Sequence, residues 1–196
     1  MLQQLTLIRH GITDMAGTLC GGSDPPLNQT GREQAALLAL SLRDRNFRRL
    51  YTSDLRRAMQ TAEVLGQPWG IDAVVVRQLR ERHFGLWEGK SWSQIVAENP
   101  GIIRPEVPLA FSTPEGESFE CFRRRVLVAF ARIAADCNGE PAAVVTHLGV
   151  ILLVRTELHS PDEERSLPER VGYGSVHSVT FTTNGRSLCD SPAHSS

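Results

Sequence analysis

Short apolar runs alternate along the chain with longer segments in which apolar positions recur every three or four residues. The short runs predict strands, and the periodic segments predict helices. Because strands that alternate with helices favour a mainly parallel sheet, the chain is predicted to be an α/β three-layer sandwich with helices on both faces of the sheet. The predicted strands cover 5–8, 50–53, 73–76, 142–145 and 176–182, and the predicted helices cover 31–44, 54–65, 91–99, 117–136 and 148–159.

Two of the predicted helices begin with a capping signature. Thr30 with Glu33, and Ser91 with Gln94, each predict a capping box that satisfies the first backbone N–H groups.

The helix after Thr30 carries leucines that fit a wide apolar stripe and are expected to face the core. These leucines are Leu37, Leu38, Leu40 and Leu42. The run Arg123-Arg124-Arg125 on a later helix is expected to be a solvated basic face.

The length of the chain sets its domain organisation. It has 196 residues, of which 41% are hydrophobic, enough for one domain with a sizeable core. Residues 1–189 are predicted to form that domain. Asn184-Gly185 is a hairpin turn signal, and the polar tail 190–196 is expected to be disordered.

Charge and hydropathy exclude several classes of partner. With 21 basic and 22 acidic residues the net charge is −1, so neither a nucleic-acid nor a membrane partner is predicted. The apolar runs fall short of the roughly 20 residues that a membrane span needs.

Residues 1–4 lack the features of a signal peptide, so a cytoplasmic location is expected. In that compartment the four cysteines are expected to be free thiols. The sequence leaves the oligomeric state open.

Candidate chemistry begins at the ends of two predicted strands. His10 follows the first strand and His147 follows the fourth, and a glycine comes within two residues of each. The carboxyl ends of parallel strands meet at one edge of a sheet, where ligands bind in open α/β proteins. A lone histidine is usually structural, but two at equivalent strand ends favour a functional site.

Three charged residues belong to the same predicted edge. Arg9 precedes His10, Arg57 lies in the first turn of a helix, and Glu81 follows the third strand. Arg57 could be an anion ligand or a solvated cation, and Glu81 could be a salt-bridge partner or a proton donor. Two guanidinium groups and two imidazoles together suit a phosphate. They could support phosphoryl transfer without a metal or cofactor.

On these residues the chain resembles the histidine phosphatase superfamily, also called the phosphoglycerate mutase-like family. The central motif is Arg9-His10-Gly11, and the resemblance runs from Leu5 to about Leu158. The other motifs of the family follow in order. They are Gly21 with Asp24, Pro26 and Leu27; Gly31 with Gln34-Ala35; Ser53-x-Leu55-x-Arg57-Ala58-x-Gln60-Thr61-Ala62; Leu79-x-Glu81; Gly85-x-Trp87-Glu88-Gly89; Gly116-Glu117-Ser118; and Thr146-His147-x-Gly149.

The resemblance implies a role for each candidate residue. His10 would be the phosphorylated nucleophile, and Glu81 would be the general acid and later the base for water. Arg9, Arg57 and His147 would bind the phosphoryl oxygens. The backbone around Cys20, Gly21 and Leu148 would line the substrate entrance, and the substrate would be a small phosphoester.

Departures from the family pattern leave the substrate open. Ile12, Met15 and Ala16 replace common family residues, Phe84 stands where mutases carry tyrosine, and a basic insertion of the mutases is missing. We therefore favour a compact metal-independent phosphatase, a group that includes the α-ribazole phosphatase type. The alternatives are a cofactor-dependent phosphoglycerate mutase and a non-catalytic phospho-ligand binder. A metallohydrolase is least favoured, because no His-Glu-x-x-His motif is present.

Overall fold

The computed structural model of the chain describes residues 2–102, 111–158 and 171–182. Five strands and five helices lie in these ranges. The strands are β1 (Leu2–Arg9), β2 (Arg49–Thr52), β3 (Val74–Val75), β4 (Ala142–Thr146) and β5 (Val176–Thr182). The helices are α1 (Gln29–Ser41), α2 (Arg56–Trp69), α3 (Trp92–Glu98), α4 (Phe119–Cys137) and α5 (Leu148–Leu158), with short 3₁₀ turns at Arg43–Arg45, Arg77–Leu79 and Gly85–Trp87.

The strands form one sheet in the order β3-β2-β4-β1-β5. The pairs β2–β3, β2–β4 and β1–β4 are parallel, and β5 runs antiparallel to β1. In the β1–β4 ladder, Arg9 lies opposite Thr146, so both strands end at the same level. The mainly parallel sheet predicted from the sequence is confirmed, and β4 is its central strand, with β1 and β2 on either side.

Two apolar layers cover the sheet, one on each face. Alternate β4 side chains point to opposite faces, as the two-residue period of a strand requires: Val144 packs against α4 and α5, while Val145 packs against α1 and α2. This gives the predicted three-layer arrangement. The helices of each layer pack against one face of the central strands. The carboxyl ends of the four parallel strands lie at the same edge of the sheet.

The prediction for the start and buried face of α1 is wrong in detail. The helix begins at Gln29, and its N-cap is Asn28, whose side chain accepts the N–H of Gly31 at 2.9 Å. Thr30 therefore lies inside the first turn. Leu37 and Leu40 are 69% and 61% exposed. The core-facing stripe consists of Ala35, Leu38, Ala39 and Leu42.

Other elements follow the sequence more closely. The Ser91–Gln94 capping box is present at the start of α3, and β5 has the predicted bounds. The third strand is shorter than predicted and lies at the edge of the sheet. The Asn184-Gly185 turn and the tail 190–196 lie outside the described residues, so the single-domain boundary at 189 stays a prediction. None of the described helices has the length and apolar character needed to cross a bilayer.

Candidate active site

The two candidate histidines lie side by side at the carboxyl edge of the sheet. The ladder of β1 and β4 continues one residue beyond Arg9, where the N–H of His10 donates to the carbonyl of Thr146 at 3.0 Å. The ring centroids of His10 and His147 are 5.1 Å apart. The juxtaposition predicted from the two strand ends is therefore present in the structure.

His10 is held in one tautomer by its own loop. Its Nδ1 lies 2.7 Å from the carbonyl oxygen of Gly11, which can only accept a hydrogen bond, so Nδ1 carries the proton. The lone pair is then on Nε2. Burial, reinforced by the positive charge of Arg57, lowers the pKa of His10 to about 3. The ring is neutral at neutral pH, with Nε2 available as a nucleophile.

Arg57 stands beside that nitrogen at the start of α2. Its Nε donates to His10 Nε2 at 3.3 Å. Its two terminal nitrogens donate to backbone carbonyls of the 20–23 loop: Nη1 to Ser23 at 2.7 Å, and Nη2 to Cys20 at 2.9 Å and Gly21 at 3.3 Å. The side chain is fully buried, so these contacts fix the orientation of the guanidinium.

The 20–23 loop is held in turn by a carboxylate that the sequence analysis did not assign. Glu88 accepts the backbone N–H groups of Gly21, Gly22, Ser23 and Phe84 and the hydroxyl of Ser23, all between 2.8 and 3.2 Å. Burial alone would raise the pKa of Glu88, but these hydrogen bonds together lower it. Glu88 therefore stays ionised and anchors the loop that orients Arg57.

Arg9 is bound from two sides by the segment before β5. Its Nη1 donates to the carbonyl of Val171 at 2.7 Å, and its guanidinium carbon lies 3.8 Å from the ring centroid of Tyr173. A cation over an aromatic face at this distance is stabilised by the ring. Arg9 Nε is buried and has no hydrogen-bond partner among the described residues.

His147 is also buried and neutral. Its Nε2 lies 2.7 Å from Ser53 Oγ, which also accepts the N–H of Leu55 at 3.2 Å. Burial lowers the pKa of His147 well below its usual value, and the charge of Arg57 adds to the effect. Its Nδ1 is buried without a partner in the described part of the chain. Two unpartnered buried nitrogens, this one and Arg9 Nε, therefore belong to the same edge of the sheet.

Glu81 reaches this edge from the segment after the third strand. Its Oε1 accepts the N–H of Arg82 and its Oε2 accepts the N–H of Gly149, both at 2.9 Å. A side chain at Gly149 would overlap the Glu81 carboxylate, so this close approach requires a glycine. Burial lowers the pKa of the Arg9 guanidinium, and the Glu81 carboxylate lies close enough to offset part of that shift.

Amide and hydroxyl side chains from the first two helices support the loop that follows His10. The N–H of Gly11 donates to Thr61 Oγ1 at 3.1 Å, and the N–H of Ile12 donates to Gln34 Oε1 at 2.9 Å. Gln60 Oε1 accepts the N–H of Leu27 at 2.8 Å. These contacts give a physical role to three polar positions of the motifs.

The predicted entrance residues are placed unequally. Cys20 and Gly21 contact Arg57 through their carbonyls, and the Cys20 thiol is half-buried near the carbonyl of Ser23. Leu148 begins α5 directly after His147 and packs partly against the core. Their role at the entrance stays a prediction.

The expectation for the arginine run on α4 is wrong for two of its three members. Arg124 is exposed, as predicted. Arg123 pairs with Glu157 through two bonds of 2.6 and 2.8 Å. Arg125 pairs with Glu117 and reaches the Glu81 segment. Sequence alone could not separate these residues, because their partners lie on other segments.

Sequence reasoning also missed the supporting roles of Ser53, Glu88 and Tyr173. Ser53 and Glu88 belong to the quoted motifs, so the motif pattern marked them without giving a contact. Tyr173 belongs to no motif and carried no signal. Within the described ranges, no group of three or more His, Cys, Asp and Glu side chains is arranged to hold a metal ion.

Fold and site together define a three-layer α/β protein with paired histidines and arginines at one sheet edge. The family model of the histidine phosphatase superfamily, branch 1, matches residues 5–190. The chain belongs to this superfamily. That membership confirms the family predicted from the sequence and the enzyme class, a phosphatase acting on phosphomonoesters.

Individual relatives carry several names. Phosphoglycerate mutase-like protein 4 of Arabidopsis thaliana is 34% identical, with 76% of this chain and 67% of that protein covered. Adenosylcobalamin/alpha-ribazole phosphatase of Salmonella typhimurium is 31% identical, with 79% of each covered. The solved structure of mycobacterial glucosyl-3-phosphoglycerate phosphatase matches with a TM-score of 0.77 and 30% identity, covering 92% of this chain and 91% of that one.

Proposed function

We propose that this chain hydrolyses a small phosphorylated metabolite through a phosphohistidine intermediate on His10, without a metal or cofactor. The observation that carries the proposal is the fixed tautomer of His10. Its Nδ1 proton is engaged by the Gly11 carbonyl, and its Nε2 lone pair faces the Arg57 guanidinium. A neutral imidazole with its lone pair on Nε2 is a nucleophile that needs no separate base, and the Arg57 hydrogen bond to Nε2 would shift to a phosphoryl oxygen when the substrate binds.

The first step transfers the phosphoryl group to the enzyme. His10 Nε2 forms a bond to phosphorus, and the bond from phosphorus to the leaving oxygen breaks. Protonated Glu81 gives its proton to that oxygen, which leaves as an alcohol. The two backbone N–H groups that hold the Glu81 carboxyl group keep it in place during the transfer.

The second step returns the enzyme to its starting state. The Glu81 carboxylate takes a proton from water, and the water oxygen attacks phosphorus. The bond from phosphorus to His10 Nε2 breaks and inorganic phosphate leaves. Two proton transfers through one carboxyl group therefore balance the cycle.

The negative charge on the phosphoryl oxygens would be stabilised by Arg57, Arg9 and His147. Arg9 Nε and His147 Nδ1 are the buried side-chain nitrogens without partners among the described residues, so each is free to donate to an oxygen. Nδ1 of His147 donates if the hydroxyl of Ser53 donates to Nε2, which the 2.7 Å contact permits. Removal of one such donor typically costs about 10²–10³ in rate.

Hydrolysis is favoured over mutase chemistry by the phosphatase names of two relatives and by Phe84, which stands in place of a mutase tyrosine. The Salmonella relative supports an α-ribazole phosphatase type as one candidate. We also propose a cytoplasmic location. Cys20, Cys121 and Cys137 are free thiols, as a reducing compartment would keep them.

The first experiment is a phosphometabolite screen of the purified enzyme with chelator present, followed by trapping of the intermediate. We expect release of inorganic phosphate with chelator present and an acid-labile, alkali-stable label on His10. His10→Ala should abolish both. Interconversion of 2- and 3-phosphoglycerate without phosphate release would favour the mutase. Phosphate binding without turnover would favour a non-catalytic binder, and loss of activity in chelator would indicate a metal.

A second experiment assigns the acid. Glu81→Gln keeps the shape of the side chain but removes the carboxyl proton. We expect kcat/KM to fall by about 10²–10⁴ for alkyl phosphates and far less for p-nitrophenyl phosphate, whose leaving group needs little protonation. Equal losses on both substrates would contradict the assignment of Glu81.

A further inference from the structure

The segment that carries Glu81 has little regular structure of its own. A 3₁₀ turn ends at Leu79, and residues 81–84 form neither helix nor strand before the next turn begins at Gly85. No strand ladder or helix therefore fixes the backbone at Glu81. Its position depends on hydrogen bonds from other parts of the chain, made by backbone groups and by side chains.

Arg125 of α4 supplies several of these contacts. Its Nη1 donates to the carbonyls of Gln78 and Arg80 at 2.7 and 2.8 Å, and its Nη2 donates to the carbonyl of Glu81 at 3.0 Å. One guanidinium thus joins three carbonyls within four consecutive residues. Arginine can do this because its donors form a rigid planar fork.

Glu117 orients that fork. Its carboxylate accepts Nε and Nη2 of Arg125 at 2.6 and 2.7 Å. Glu117 is itself fixed to the segment after Glu81. Its N–H donates to the carbonyl of His83 at 2.8 Å, and its carbonyl accepts Nε of Arg82 at 2.9 Å. We call Arg125 and Glu117 the acid clamp.

We propose that the acid clamp is a positioning device for proton transfer by Glu81. Arg125 holds the backbone of Glu81, while the N–H groups of Arg82 and Gly149 hold its carboxyl group. The inference rests on the proposed function, in which Glu81 protonates the leaving group. A displacement of about 1 Å at a catalytic group can cost roughly 10² in rate, so loss of the clamp should act mainly on proton transfer.

Two substrates with different leaving groups distinguish a role in proton transfer from a general structural role. The leaving oxygen of an alkyl phosphate must be protonated as the bond breaks. The leaving oxygen of p-nitrophenyl phosphate needs protonation far less, because p-nitrophenolate is a good leaving group. The value of kcat/KM reports the steps up to release of the leaving group, so it does not include the later hydrolysis of the phosphohistidine. The change in the ratio of kcat/KM for the two substrates, from wild type to variant, therefore reports the loss of acid catalysis, whereas a general structural loss lowers both values together.

The chain offers a matched control on the same helix. Arg123 makes a similar two-bond pair with Glu157, at 2.6 and 2.8 Å. The side chains are 20% and 22% exposed in this pair, against 23% and 18% for Arg125 and Glu117. Arg123→Met thus removes an ion pair of comparable geometry and burial that lies outside the Glu81 segment.

We expect Arg125→Met to lower kcat/KM for an alkyl phosphate by about 10² and for p-nitrophenyl phosphate by less than about threefold. Arg125→Lys, which keeps the charge but not the fork, and Glu117→Gln should show the same selectivity with smaller losses. Arg123→Met should leave the ratio unchanged. In Glu81→Gln/Arg125→Met the loss should be close to that of Glu81→Gln alone, because both changes act through one group.

The outcomes separate two kinds of failure. Glu81→Gln without leaving-group selectivity would overturn the proposed acid and the clamp with it. Selectivity in Glu81→Gln but not in Arg125→Met, Arg125→Lys or Glu117→Gln would overturn the clamp alone. If Arg125→Met does not fold, as judged by circular dichroism, the lysine and glutamine variants decide in the same way.

Discussion

At the scale of single residues, the sequence predicts the candidate site residues better than it predicts the contacts that position them. His10 and His147 could be placed together because both follow strands that are parallel neighbours. The contacts of Glu88, Tyr173 and Arg125 join segments that are far apart in the chain, as in the Glu88 bonds to Gly21 and Gly22. No periodicity or spacing encodes such pairs, so only the folded structure identifies them.

Gly149 provides a test at this scale. Gly149→Ala places a methyl group against the Glu81 carboxylate, so we expect kcat/KM for alkyl phosphates to fall by about 10². Gly172→Ala is the control, because Gly172 has open space around its Cα and a backbone conformation open to other residues. Steady-state kinetics with thermal melting would check both. Full activity of Gly149→Ala would contradict the placement of Glu81.

At the scale of elements, the sequence predicts helices well and their buried faces less well. The stretch from Ala35 to Leu40 is wholly apolar, so periodicity cannot choose which side of α1 faces the core. Packing decides it. Ala39 shares an apolar cluster with Ala58 and Ala62 of α2. Small residues at that contact let the two helices approach closely, and two larger leucines remain outside.

The start of α1 allows a direct test of the corrected cap. Asn28→Ala removes the side-chain acceptor for Gly31 N–H and should lower the free energy of unfolding by about 1 kcal/mol. Thr30→Ala, two residues further on, should change it by less than about 0.5 kcal/mol, since exposed positions away from caps tolerate change. Urea unfolding would measure both. A larger loss of unfolding free energy in Thr30→Ala than in Asn28→Ala would support the Thr30 capping box predicted from the sequence and contradict Asn28 as the cap.

At the scale of the whole molecule, the site imposes a cost on stability in acid. The fold keeps His10 and His147 neutral and buried beside two arginines, which lowers the pKa of both rings. His177 shifts in the same direction through burial and Arg155. The unfolded chain has no such constraint, and its histidines take up protons near their ordinary pKa of about 6.5.

The sign of the pH dependence follows from this difference. Below about pH 6.5 the unfolded state binds protons that the folded state does not, so the free energy of unfolding falls as the pH falls. His10 and His147 each contribute about 1.4 kcal/mol per pH unit while the difference lasts, down to about pH 3 for His10. Urea unfolding between pH 7.5 and 5 would measure the slope.

The control for this prediction is a chain in which both rings are replaced. His10→Asn/His147→Asn should reduce the slope, because two of the groups that bind protons only when unfolded are gone. A free energy of unfolding that stays constant or rises from pH 7.5 to 5 would contradict the burial of neutral histidines.

The pairing of β1 with β4 brings residue 9 beside residue 146. During synthesis on a ribosome, the first strand must therefore wait for its parallel neighbour, which emerges more than a hundred residues later. Contacts of such large sequence separation form slowly, because a long loop must close first. On the proposed function, the nascent protein therefore cannot hydrolyse phosphoesters until β4 has emerged and paired with β1.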